Sequence, residues 1–189
     1  MKENQRIAVT KRMLKDGLLR LLETKPLDKI RVNELCQESG INRATFYRHY
    51  EIPQDVLLEL EIEFVKQMVP VAKPPRDVEE ARKQLETACS YLYDHADIAR
   101  ILFRCNTDTD MMHGLNEFYR QFWELHSQGS QFLNADDATA KVIVSLLGGG
   151  CYCLLKQWIL EDIPKTPQEI AAIMCNVIRW PAPTDFLTV

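Results

Sequence analysis

The sequence has little that would place it in or across a membrane. Its start, Met1-Lys2-Glu3-Asn4-Gln5-Arg6, is polar, and the longest nearly uninterrupted apolar run, Val142 to Leu155, falls short of a bilayer-spanning helix. A cytoplasmic protein with no membrane partner is expected. There is no CxxC among the 6 cysteines (Cys36, Cys89, Cys105, Cys151, Cys153, Cys175), and each lies in or beside an apolar helical stretch. In a reducing compartment they read as small buried hydrophobes, and the apolar surroundings of Cys151 and Cys153 argue against a redox pair. The chain also lacks internal repeats, low-complexity tracts and strand-like alternation. Helix is therefore expected throughout.

Enzyme signatures are missing as well. No nucleophile motif or acid/base pair stands on a recognisable scaffold, and Lys156 after the glycine run has no preceding strand to make a phosphate loop. Asp110, His113 and Glu117 share one helix face and could hold a metal, but no second cluster accompanies them, so they read as a solvated face. The expectation is no enzyme, no metal and no cofactor.

What is present is an uneven charge. The chain has 189 residues, 46% hydrophobic and 26% charged, enough for one large or two small soluble domains. Its net charge of −4 combines +5 over residues 1–50 with −9 over the rest. A basic head on an acidic body suits contact with phosphates, although charge segregation also arises from solvation alone.

The head contains the organising stretch, Arg31 to Tyr50. Val32, Leu35 and Cys36 share a helix face that must stop near Gly40, since glycine tolerates the left-handed conformation ending a helix. Asn42 can cap a second helix, predicted from Arg43 to Tyr50, with Phe46 and Tyr50 on its apolar back and Arg43, Ala44, Tyr47 and Arg48 in front. Arginine reads guanine edges or pairs with phosphate, and small residues let the backbone approach DNA. This is a helix-turn-helix pattern. A preceding helix over 7–23 should pack Ile7, Leu14, Leu18, Leu21 and Leu22 against Leu35, Phe46 and Tyr50.

Beyond the head, a helix from Pro53 to Pro70 connects to a proline-rich boundary at 69–76, followed by predicted helices over 77–94, 97–104, 108–127, 135–162 and 166–180. The helix over 135–162 is apolar on nearly every side between Val142 and Leu155 and contains Gly148-Gly149-Gly150. Three helical glycines cost about 1 kcal/mol each relative to alanine, so close approach of another helix backbone is expected to offset them.

The string Thr45-Phe46-Tyr47-Arg48-His49-Tyr50 closely resembles the end of the recognition helix in the TetR family of bacterial transcriptional regulators. The resemblance covers Ile7 to Leu60, and beyond that it rests on layout, including Trp158-Ile159-Leu160 followed by Thr166-Pro167-Gln168-Glu169. It implies an all-α, TetR-like fold: a helix-turn-helix domain over 1–52, a connecting helix over 53–72, and an effector-binding and dimerisation domain over 73–189. Carried over residue by residue, it assigns DNA contact to Arg31, Asn33, Asn42, Arg43, Ala44, Thr45, Tyr47, Arg48 and His49 on a palindromic double-stranded operator. It implies a homodimer through the helices over 135–162 and 166–180, the alternative being a buried central helix of a monomer. It also implies a small-molecule effector, with Tyr91, Phe103, Met112, Phe118, Phe122, Trp123 and Tyr152 as candidate pocket walls. Two departures accompany it. Arg31 stands where the family often has Ser or Thr, and Ile52-Pro53 replaces an Asn-Lys or Ser-Lys pair, removing a lysine-to-phosphate contact beside Glu51. A repressor is expected; a co-regulator acting through protein contacts, with weak DNA affinity or none, stays open.

Overall fold

The computed structural model describes residues 2–68, 77–105 and 137–179, all in helices, turns and short links, with no strand among the described residues. In order these are α1 (Lys2–Leu22), a 3-10 turn (Leu27–Lys29), α2 (Val32–Ser39), α3 (Arg43–Phe46), α4 (Pro53–Met68), α5 (Val78–Asp94), α6 (Ala96–Arg104), α7 (Asp137–Leu160) and α8 (Pro167–Arg179). The predicted helix over 108–127 and the proline-rich boundary at 69–76 lie outside the described residues. The chain divides into two compact units, Met1–Phe64 with Asp97–Thr107, and Val65–Ala96 with Asp108–Val189. α6 thus clusters with the head, and α4 runs through the division between the two units.

In the first unit Leu14, Leu18, Leu35, Phe46 and Val56 are sealed from solvent. Burying such side chains contributes about 1.5–3 kcal/mol each, which is what gathers the short helices around α1. The α1–α2 crossing is closer than leucine packing alone allows. A Cβ added to Gly17 would lie 3.0 Å from Ser39 Cβ and 3.1 Å from Ser39 Cα. Buried Ser39 is small enough to fit there, and its hydroxyl donates to the Leu35 carbonyl at 2.7 Å, so its polar atom is satisfied inside the helix. Across the same pair, Arg20 donates to Glu38 Oε1 at 2.6 Å and to the Glu38 carbonyl at 3.1 Å.

In the second unit α5 packs on α8, with Ala81, Leu85, Cys89 and Leu92 buried on one and Ile170, Ala171, Met174 and Cys175 on the other. Burial pushes the Cys89 thiol up to about 12, aided by the nearby thiols of Cys151 and Cys175, so it stays a neutral packing group. The link from α7 to α8 is fixed by local chemistry. Asp162 takes a left-handed conformation at φ 49°, the Trp158 indole donates to the Lys165 carbonyl at 3.0 Å, and Thr166 and Glu169 form a reciprocal cap around Pro167.

α7 does not bury all its apolar residues. Val142 is 69% and Leu146 73% exposed, and Gly150 and Cys153, further along the same stripe at helical spacing, are exposed as well. Exposed Cys153 departs from the expectation that every cysteine is buried, whereas Cys36, Cys89, Cys151 and Cys175 are. Among the described residues, no atom lies within 4 Å of a Cβ built on Gly149 or Gly150. Among the described residues no helix is long and apolar enough to cross a membrane.

Candidate nucleic-acid interface

The site is built on the α2–α3 turn. Gly40 ends α2 at φ 69°, and the Ile41 N–H reaches back to the Cys36 carbonyl at 3.0 Å, closing the last turn. Asn42 then caps α3, its Oδ1 accepting the Thr45 N–H at 2.8 Å. Regular α-helix ends at Phe46 rather than at the predicted Tyr50. From Tyr47 on, the chain continues as tight turns in which Arg48 and His49 donate three residues back, to Thr45 at 3.3 Å and Phe46 at 2.9 Å, while Tyr50 still donates four back to Phe46 at 3.0 Å. The turn keeps Phe46 and Tyr50 buried together, ring centroids 5.9 Å apart.

That burial turns the other side chains outward. Arg31, Asn33, Asn42, Arg43, Ala44, Tyr47 and Arg48 are exposed or half-buried, as are Thr45 and His49. No salt bridge within the described residues holds Arg31, Arg43 or Arg48. The Arg43 guanidinium lies 5.8 Å from the centre of the Tyr47 ring, which stands edge-on to Phe46 at 5.4 Å. The ring restrains the cation without neutralising it. A front with two uncompensated guanidiniums, a 52% exposed tyrosine and an alanine that lets the backbone approach can meet base edges and phosphates together.

Behind this front is an ionic cluster that the hydrophobic pattern gave no reason to expect. Glu59 of α4 accepts from Lys11 Nζ at 2.8 Å and the Tyr50 hydroxyl at 2.9 Å on one oxygen, and from Lys15 Nζ at 3.0 Å on the other. Lys15 also pairs with Glu63 at 2.6 Å. Burial alone would raise the Glu59 pKa, but bonds from Lys11, Lys15 and Tyr50 outweigh it and hold the carboxyl down at about 2. Tyr50 is shifted the other way, its phenol pushed well above the usual range by burial and by the adjoining Glu59 carboxylate. The available signal was the i, i+4 spacing of Lys11 with Lys15 and of Glu59 with Glu63, complementary in sign on two helices.

The start of α4 has a carboxylate where a cation was missing. Asp55 Oδ2 accepts from the N–H groups of Glu51 at 2.8 Å and Ile52 at 3.0 Å, so the chain caps this helix itself. At the start of α2, Glu34 pairs with Lys25, whose hydrogen bond keeps the carboxyl below its ordinary range.

Of the candidate pocket walls, the described residues include Tyr91, Phe103 and Tyr152. Tyr91 and Tyr152 belong to the second unit and Phe103 to the first, while Met112, Phe118, Phe122, Trp123 and the Asp110–His113–Glu117 trio lie outside the described residues. Tyr91 is half-buried, its hydroxyl donating to Gln67 Oε1 at 3.0 Å and its ring stacked on His95 at 4.2 Å. Tyr152 is buried beneath the Lys156 ammonium, 5.8 Å from the ring centre. Within the first unit a cleft of about 620 Å³ is walled by Leu22, Pro26, Leu27, Gln54, Arg100 and Arg104, and holds none of the nominated residues.

A capped helix pair with its apolar back buried and its cations outward, joined to a further helical unit, defines the class of helix-turn-helix transcriptional regulators. The TetR-type profile described as "Transcriptional regulator C-terminal region" matches residues 79–179, more than half of the chain. The protein belongs to the TetR family of transcriptional regulators. No curated protein sequence matches it. Solved structures with a similar fold include a protein from Syntrophomonas wolfei assigned to TetR-family transcriptional regulators (TM-score 0.69, 15% identity, covering 90% of this chain and 93% of that one). The dihydroxyacetone kinase operon activator DhaS is similar at TM-score 0.65 and 12% identity, covering 90% of this chain and 94% of its own. A TetR transcriptional regulator from Rhodococcus sp. RHA1 is similar at TM-score 0.50 and 13% identity, covering 95% and 99%.

Proposed function

We infer that this protein is a ligand-responsive, DNA-binding repressor that acts in the cytoplasm as a homodimer on a palindromic operator. The observation that carries the reading is the exposed cationic front of Arg43, Tyr47 and Arg48, backed by buried Phe46 and Tyr50. Arg43 and Arg48 make the direct contacts, Tyr47 spans groove wall and phosphate, Thr45 offers a hydroxyl and a methyl, and Arg31 and Asn33 meet the backbone. Two such fronts must sit about 34 Å apart to enter successive major grooves. The exposed Val142, Leu146, Gly150 and Cys153 stripe on α7, with 41% exposed Ile173 on α8, supports a second copy as the cover for that face. The effector binds the domain over 73–189 and stabilises the conformation that misfits the operator. The chain has no catalytic role in this reading.

A second reading, a co-regulator acting through protein contacts, is favoured by the start of α4. There exposed Glu51 and Ile52, buried Pro53 and the Asp55 cap offer DNA no cation. Titration with palindromic duplexes from upstream of the protein's own coding region separates the two. Steep salt dependence supports DNA binding, with Arg43→Ala plus Arg48→Ala lowering the slope by about 0.9 for each phosphate that is no longer neutralised. Undetectable binding at low salt overturns it in favour of the co-regulator. Derepression of a reporter on adding effector, rather than its loss, distinguishes repressor from activator.

A further inference from the structure

The apolar core explains why the reading segment stays attached to the head, but not why it holds one angle. Apolar packing among Phe46, Leu14, Leu18 and Leu35 is non-directional and tolerates sliding. The Glu59 carboxylate is directional. It accepts from Tyr50 at the end of the reading segment and from Lys11 and Lys15 on α1, three bonds from two other parts of the head. The site is sheltered enough for such bonds to matter, with the Lys15 side chain 8% and Glu59 28% exposed. The Lys11 ammonium also lies 5.4 Å from the centre of the Tyr50 ring, so the same cation holds both partners of the Tyr50–Glu59 bond. Glu59 stands on α4, the helix that continues past Phe64, where the first compact unit gives way to the second.

We propose that Glu59 is a positioning residue for DNA recognition: through the Tyr50 hydroxyl it sets the pitch of the Arg43–Tyr50 segment relative to α4. This rests on the DNA-binding reading for its consequence, though not for its geometry. Glu59 itself touches no DNA.

The test uses the full chain with Glu59→Gln, Tyr50→Phe and the double variant. Tyr50→Phe keeps the ring and removes only the hydroxyl, so it remains informative if Glu59→Gln folds poorly. Native-state hydrogen exchange at the Tyr47, Arg48, His49 and Tyr50 amides is expected to quicken about tenfold in each single variant, with α2 amides unchanged and no further gain in the double. Operator affinity is expected to fall about tenfold while the salt slope stays that of the wild type, because the same phosphates are still neutralised. Unchanged exchange in both single variants overturns the proposal, as does an equal rise across α1 and α2, which marks general destabilisation. Wild-type affinity in both variants also overturns it and leaves the DNA-binding reading standing. Failure of the wild type to bind any duplex defeats that reading instead, while local quickening would still establish the anchoring role.

Discussion

Replacing Gly17 by alanine opposes two effects of similar size at one position. Gly17 is in the interior of α1, where alanine is favoured by about 1 kcal/mol through helix propensity alone. Against this, the new methyl would lie 3.0 Å from Ser39 Cβ, 3.1 Å from its Cα and 3.2 Å from its nitrogen. Two of those three atoms are backbone, and Ser39 is fixed by its hydroxyl bond to Leu35, so α1 and α2 must separate by a few tenths of an ångström. Overpacking of this kind costs about 1–3 kcal/mol, so the net effect is a loss of about 1 kcal/mol. That corresponds to a melting temperature lower by roughly 2–4 °C in a chain of this size. Thermal unfolding followed by circular dichroism at fixed protein concentration measures it, and on the DNA-binding reading operator titration should show a parallel loss because α2 supports the α2–α3 turn. A Gly17→Ala variant that melts at or above the wild type would refute the claim that this crossing is closed by backbone contact.

Three further outcomes follow from the same geometry. Asn42→Ala removes the side-chain acceptor for the Thr45 N–H and should cost about 1 kcal/mol, read by urea unfolding. Because the Glu59 pKa falls from 4.5 to about 2 on folding, its contribution to stability is present above pH 4.5 and is lost as pH falls from there toward 2. Glu59→Gln should therefore flatten the stability profile in that window, as followed by unfolding at successive pH values. On the homodimer reading, Leu146→Glu places a charge on a 73% exposed apolar position of α7 and should shift the protein to monomers in sedimentation equilibrium; an unchanged mass would argue against α7 as the dimer surface.

Periodicity alone marked most of the described helices, because the repeat of apolar residues records which face a helix buries whatever it packs against. Leu14, Leu18, Leu35, Phe46 and Tyr50 were legible as one core, and Gly40 and Asn42 as the stop and start between two helices, since both signals act within a single turn. The outward set of Arg43, Ala44, Tyr47 and Arg48 followed as the complement of that buried face. Tertiary structure decided the rest. The reading helix gives way to tighter turns after Phe46, a change of hydrogen-bond register that composition does not encode. Gly17 is ordinary in the sequence and becomes a point of closest approach only when Ser39 is placed against it. Lys11 and Lys15 lie more than 40 residues from Glu59 in the chain, and folding brings them into one sheltered cluster around Tyr50. Local sequence determines which side of a helix faces inward; which partners meet across helices depends on distances between residues far apart in the chain, and only the folded arrangement sets those distances.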